Sequence, residues 1–283
     1  MKKCIPILTI LCACLLQART WSMDLEKTDR IRKVIEFSGS AASRTLFIDN
    51  IFGSIRIIGG EGDRIILKAD RTIKARSKQK IERALQEVTL DISQKDNEIN
   101  LFVNGPFRAK DKYMNWNWNK TGYTVQYDFV LEIPKKTNIF LKTINNGDID
   151  IAHVNGRFVV ENVNGKIGVR HMNGSGRAHT VNGSVRVQFD TNPKKDCSFR
   201  TVNGNVELFF PQEPAADFLV KTFNGDILTA YSVRMLPRAA AKPERSNGRF
   251  IYKSNRFSSF RIGKGGIQIK MSTLNGDIII NKK

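Results

Sequence analysis

The sequence is poor in the residues that do covalent work. Three of its four cysteines (Cys4, Cys12, Cys14) fall in the first sixteen residues, which leaves only Cys197 for the body of the chain. One cysteine cannot form an intramolecular disulfide, and no CxxC pair exists to hold zinc. The reading for Cys197 is a small, partly buried apolar residue. No Gly-rich phosphate loop, GxSxG or HExxH occurs, and no pair of carboxylates stands in a catalytic setting. Acidic residues are scarce, 27 against 46 basic ones, for a formal charge of +19 over 283 residues. That excess points to an anionic partner or surface. Beyond the N-terminus, no stretch is long and apolar enough to cross a bilayer. Apolar residues make up 41% of the chain, enough for a sizeable core.

The N-terminus reads as an export leader, residues 1–22. Lys2 and Lys3 precede a short apolar run from Cys4 to Leu16, with cleavage expected between Ala18 and Ser22. A second reading stands beside it. Leu11-Cys12-Ala13-Cys14 resembles a lipobox, in which Cys14 would be lipidated and become the mature N-terminus. Either way the expected location is the periplasm or cell envelope.

The dominant feature is a repeat. Asn-Gly pairs occur at Asn146-Gly147, Asn155-Gly156, Asn164-Gly165, Asn173-Gly174 and Asn182-Gly183, nine residues apart each time. They return at Asn203-Gly204 and Asn224-Gly225, steps of 21, and at Asn275-Gly276. Asn-Gly tolerates two consecutive positive φ angles, so each pair predicts a tight turn. Apolar residues alternate after the turns, as Ile167 and Val169, Val185 and Val187, Val206 and Leu208. Period-two alternation marks a strand with one face inward. An apolar residue also precedes Asn, as Val163, Val181, Val202, Phe223 and Leu274.

Nine residues cannot close a coil around a core, but eighteen can. Two columns support that pairing. Asn162, Thr180, Thr201, Thr222 and Thr273 stand two residues before alternate turns, whereas the skipped turns carry His153 and His171 there. The expected fold is all-β: a single-stranded parallel β-helix, or solenoid, with right-handed connections and an N-terminal β-rich segment containing one short helix. The expected divisions are 1–22, 23–135 and 136–283, with an inserted loop near 231–262. Coils are expected to follow one another in sequence order to Leu228. Within 23–135, Leu46 to Ile57 looks like a degenerate repeat unit and Lys78 to Glu87 has helical spacing.

The run from Ile65 to Lys283 resembles a bacterial adhesin-like family of unknown function with Asn-Gly-Asp repeats. The motifs are Asn146-Gly147-Asp148-Ile149, Asn224-Gly225-Asp226-Ile227 and Asn275-Gly276-Asp277-Ile278, with Glu82 to Val88 and the Trp-containing loop also similar. The resemblance implies a single-stranded β-helix, an envelope location and no established activity. The chain departs from the family where Asp gives way to Arg157, Lys166, Ser175, Ser184 and Asn205.

Candidate sites follow from these columns. Arg157, Lys166, Arg177 and Arg186 are expected to form a basic face for an anionic envelope polymer or a membrane surface. A protein partner is a further option, and export argues against nucleic acid. Trp116 and Trp118 sit in a polar, basic loop and suit sugar stacking, docking at a lipid interface, or a hairpin covering the end of the stack. His153 and His171 should stack, with His179 near, as solvated histidines or as a metal pair. Only Asp148, Asp226 and Asp277 occupy the ligand position of a calcium-binding β-roll, and they are not expected on successive coils, so no calcium site is expected. No cofactor is expected. The alternative function is a polysaccharide-active β-helix enzyme, which would need acidic residues close on adjacent coils.

Overall fold

The computed structural model describes residues 25–38, 44–108, 121–237, 243–246, 249–252 and 257–283. The leader with Cys14, and the loop with Trp116 and Trp118, lie outside them. The described chain is all-β apart from one helix. Its strands form two large mixed sheets, of ten and eleven strands, and a separate two-stranded pair.

Each Asn-Gly corner sends the following strand to the opposite sheet. In one sheet Ile149 pairs with Ile167, Ile167 with Val185 and Val185 with Val206, all parallel. In the other, Ile139 pairs with Phe158 and Phe158 with Gly176, also parallel. Two successive strands therefore make one coil of the stack, of 18 residues between Asn146 and Asn182 and of 21 from there to Asn224. The strands flanking Asn155 lie in different sheets, and so do those flanking Asn173, so neither corner is a hairpin turn.

Alternation delivers the core. Ile149, Ile167, Val185 and Val206 face inward opposite Phe158, Ala178 and Phe199, and all are buried. Each such Ile, Val or Phe side chain contributes about 1.5–3 kcal/mol of burial. The weak unit at Gly176 and Ala178 is filled by its neighbours: the rings of Phe158 and Phe199 lie 6.3 Å apart, centre to centre.

The corners differ from expectation. Among the described residues no Asn-Gly pair has two positive φ angles. Asn146 is positive at 56° but Gly147 is not, and Gly183 is positive at 149° while Gly165 is not. Glycine is required by stacking. A Cβ on Gly165 would sit 2.2 Å from the Gly147 carbonyl oxygen, and one on Gly183 would sit 2.3 Å from that of Gly165. The first corner also corrects the column itself. Asn164 Nδ2 donates to Asn145 Oδ1 at 2.6 Å, so Asn145 holds the ladder position and Asn146 is an extra residue.

From there the asparagine ladder is continuous. Asn182 donates to Asn164, Asn203 to Asn182, Asn275 to Asn203 and Asn224 to Asn275, each at 2.7 Å. Behind it, Thr180 donates to the Gly165 carbonyl at 2.9 Å and Thr201 to that of Gly183 at 2.7 Å. These threonines are buried, so each bond also prevents an unsatisfied carbonyl.

Two further findings concern the ends. Strands Thr45–Asp49 and Ile55–Gly60 join the same sheets in parallel, pairing Leu46 with Ile139 and Ile55 with Ile149. Beyond them one sheet continues through Tyr123–Pro134, Arg64–Ala75 and Leu25–Glu36. The helix Lys78–Glu87 packs on these strands, with Ala84 buried and Ser77 capping Lys80 N at 3.3 Å. At the other end the order of coils is not the order of the chain. Strand Ile278–Lys282 lies between Val206–Phe210 and Ile227–Thr229. Strand Ile267–Ser272 lies likewise between Cys197–Arg200 and Ala216–Lys221. Thus the Asn275 coil stacks inside the Asn224 coil. Its inward residues Ile269, Met271, Ile278 and Ile280 are fully buried, covered by neighbours on both sides.

Candidate anion-binding groove

The two corners of the coil carry different chemistry. At the second corner Asn173 Nδ2 donates to Asn155 Oδ1 at 2.9 Å, and then the ladder stops. The next coil is longer by three residues and turns through Asn192, Pro193, Lys194 and Lys195. The Ser175 hydroxyl accepts from Lys194 N at 3.2 Å and Lys195 N at 3.1 Å, which pins this detour to the coil below.

An open groove of about 1040 Å³ runs along this corner. Its floor is made of small or apolar residues, including Gly156, Gly174, Gly176 and Val159. Its walls carry Lys136, Arg157, Arg177, Lys194, Lys195 and Lys270, all exposed. Asp196 is the one carboxylate in the lining, and its Oδ1 accepts from Gln268 N at 2.8 Å. Six cations against one engaged carboxylate give the groove a strongly positive potential. Cys197 is also in the lining, but burial pushes its thiol up to about 11, so it is no nucleophile at neutral pH.

Of the four basic residues singled out by spacing, Arg157 and Arg177 line this groove. Lys166 and Arg186 do not. Lys166 sits at the first corner, its backbone N–H donating to Asp148 Oδ1 at 2.7 Å. Arg186 lies on the outer face of the other sheet, 3.3 Å from Glu207 and over the Phe209 ring at 4.5 Å. Residues nine apart fall on opposite sides of a two-strand coil, so these four cannot form one face. Lys136 and Lys270 were missed in the sequence. Lys270 reaches the groove only because its coil is intercalated.

The other candidates have structural partners. His153 and His171 stack with ring centres 4.4 Å apart, both at positive φ. His171 Nδ1 lies 3.2 Å from the Asp190 carboxylate, which also pairs with Lys283 Nζ. Burial works against ionised Asp190, but Lys283 and His171 outweigh it and hold the carboxyl below its usual range. Partial burial of His179, with Arg177 nearby, holds it neutral to lower pH than a free imidazole. Among the described residues no group of three His, Cys, Asp or Glu is placed to hold a metal ion. Asp226 and Asp277 do lie on adjacent coils, contrary to expectation, because the Asn275 coil is intercalated; Asp277 Oδ1 accepts from Asp226 N at 2.9 Å and continues the capping seen at Asp148.

No protein-family model matches the sequence, and no curated protein matches it. Solved structures do. One is a candidate cell adhesion protein from Clostridium sporogenes ATCC 15579, 13% identical, covering 91% of this chain and 100% of that one, with a TM-score of 0.45. A candidate adhesin from Bacteroides fragilis NCTC 9343 is 10% identical over 90% and 97% of the two chains, with a TM-score of 0.37. A candidate lipid-binding protein from Parabacteroides distasonis ATCC 8503 is 11% identical over 91% and 96%, with a TM-score of 0.24. These likenesses are too loose to carry a function across.

Proposed function

We propose that the chain is an exported, non-catalytic binding module of the cell envelope, built as a single-stranded, right-handed parallel β-helix. In this reading residues 1–22 are the leader, 23–135 close one end, and 136–283 form the repeat with an excursion at 231–262. The ligand is an extended envelope polyanion held in the groove of the second corner. The observation that supports this is the row of six cations beside a single engaged carboxylate. Each exposed contact is worth less than about 1 kcal/mol, so affinity must come from several at once. Screening acts beyond about 8 Å at physiological salt, so binding should fall steeply as salt rises.

The enzyme alternative needs two carboxylates roughly 5–9.5 Å apart across a glycosidic bond. This groove offers only Asp196, so binding is the better reading. The test is a pull-down with purified lipopolysaccharide or anionic envelope polysaccharide at low and high salt. Reversal of Arg157, Arg177, Lys194 and Lys195 to Glu should abolish capture, whereas Lys166→Glu should leave it. Capture unchanged by the fourfold reversal would leave the protein a scaffold without this ligand.

A further inference from the structure

We propose that the far end of the stack has two registers: the Asn224 coil first stacks directly on the Asn203 coil, and the C-terminal coil around Asn275 then enters between them as a wedge. The wedge makes the same bonds to the coil beneath it as the Asn224 coil makes to the wedge. Asn275 Nδ2 donates to Asn203 Oδ1 and Asn224 Nδ2 to Asn275 Oδ1, each at 2.7 Å. The Thr273 hydroxyl donates to the Gly204 carbonyl at 2.9 Å, and that of Thr222 to the Gly276 carbonyl at 2.8 Å. Asp277 N donates to Asn205 Oδ1 and Asp226 N to Asp277 Oδ1, both at 2.9 Å. The strands agree too. Val206 pairs with Ile278 and Ile278 with Ile227, while Cys197 pairs with Ile269 and Ile269 with Phe218. With the wedge out, Asn224 therefore meets Asn203, Thr222 meets the Gly204 carbonyl and Asp226 N meets Asn205 Oδ1, with no change of alignment along the strands.

Chain order favours the direct contact first. Asn203 and Asn224 are 21 residues apart, the same spacing as Asn182 and Asn203, whose coils do touch. Asn203 and Asn275 are 72 apart. Loop closure becomes rarer as about the 3/2 power of loop length, which favours the shorter loop by about sixfold. Burial then drives the wedge in. Ile269, Met271, Ile278 and Ile280 are fully buried inside the stack, whereas Ile227 on the outermost strand keeps 36% of its surface exposed. One sequence thus holds two packings that use the same ladder. Insertion also changes the groove. Lys270 pairs in register with both Ser198 and Leu219, so in the direct register Leu219 stands beside Ser198 in place of Lys270. The groove then lacks one of its six cations. None of the stacking bonds depends on what the groove binds.

Hydrogen exchange in the full chain, pulsed during refolding from denaturant and read by amide NMR, tests the order. Two amides donate to the coil beneath them: Asn224 N to the Leu274 carbonyl and Asn275 N to the Val202 carbonyl, both at 2.8 Å. In the direct register Asn224 N donates to Val202 instead, so it should become protected before Asn275 N. Protection of Asn275 before or together with Asn224 overturns the proposal. Gly276→Val tests the second packing at equilibrium. Its Cβ would sit 2.2 Å from the Gly204 carbonyl oxygen, a clash that the direct register avoids. This variant should keep protection at Asn224, lose it at Asn275, and be cut by trypsin after Lys270 while the coils below stay intact. Gly204→Val, with a Cβ 2.4 Å from the Gly183 carbonyl oxygen, clashes in both registers and should lose both protections. Loss of protection at Asn224 together with Asn275 in Gly276→Val also overturns the proposal.

Discussion

The two corners of the coil begin from one nine-residue unit and end with different surfaces. The first keeps its asparagine ladder from Asn145 to Asn224, its buried threonines and an apolar column outside them. The second keeps the ladder for one step, Asn155 to Asn173, then takes the detour through Asn192 to Lys195 and becomes a basic groove. The lesson is that regular stacking is enforced by backbone contacts, whereas surface chemistry is free to diverge wherever the ladder is interrupted. Stability should therefore be most sensitive to the shared glycines, less to the threonines found only at the first corner, and least to surface charge.

The largest effect is expected at the glycines of both corners. Gly165→Val and Gly174→Val would each push a side chain into a carbonyl one coil away, 2.2 Å and 1.9 Å from the new Cβ. Each should lose about 3 kcal/mol or more in denaturant unfolding. Gly62→Val, at positive φ but with open space around it, should lose only about 1 kcal/mol. A neutral Gly174→Val would show that the second corner lacks the close stacking of the first.

Next come the threonines. Thr201→Val removes the 2.7 Å bond to the Gly183 carbonyl in a buried position and should cost about 1–2 kcal/mol. Thr222, on the outermost coil and half-buried, makes the same bond to Gly276 at 2.8 Å. Water can replace it there, so Thr222→Val should cost less than Thr201→Val. Equal losses would mean that burial does not grade the ladder.

Charge should move binding without moving stability. Arg157→Glu with Arg177→Glu should weaken polyanion capture at low salt and flatten its salt dependence, while Lys166→Glu with Arg186→Ala should do neither. If the second pair mattered as much as the first, the groove would not be the site.

The smallest effect concerns acid. The folded Asp190 carboxyl is depressed by Lys283 and His171. Its contribution is present above the unfolded value, near 3.8, and is lost as pH falls through the folded one. Because the carboxylate is about one-third exposed, the amount should be under about 1 kcal/mol. Asp190→Asn should therefore lower stability slightly at pH 6 and converge with wild type as pH falls through the folded value, below 3.8. A constant difference at all pH values would point to packing instead of charge.

Much of this architecture is written in local pattern. Alternation of Ile and Val specifies inward-facing strands, because a two-residue period admits no other exposed arrangement. The helix at Lys78–Glu87 follows from its apolar spacing and the serine before it. The 18-residue separation of His153 and His171 puts them one coil apart, and their rings do stack. Three things needed the tertiary structure. Gly183 takes positive φ and Gly165 does not, although each follows Val-Asn. Which cations meet depends on which side of the coil each lies, and that splits Arg157 and Arg177 from Lys166 and Arg186. Most of all, the place of the Asn275 coil is set by long-range pairing. Ile278 and Ile280 present the same inward apolar face as Val206 and Leu208, or as the strand at Ile227. Local sequence cannot tell which neighbours such a strand will choose. The intercalated position covers both of its edges and leaves the short strand Ile227–Thr229 outermost.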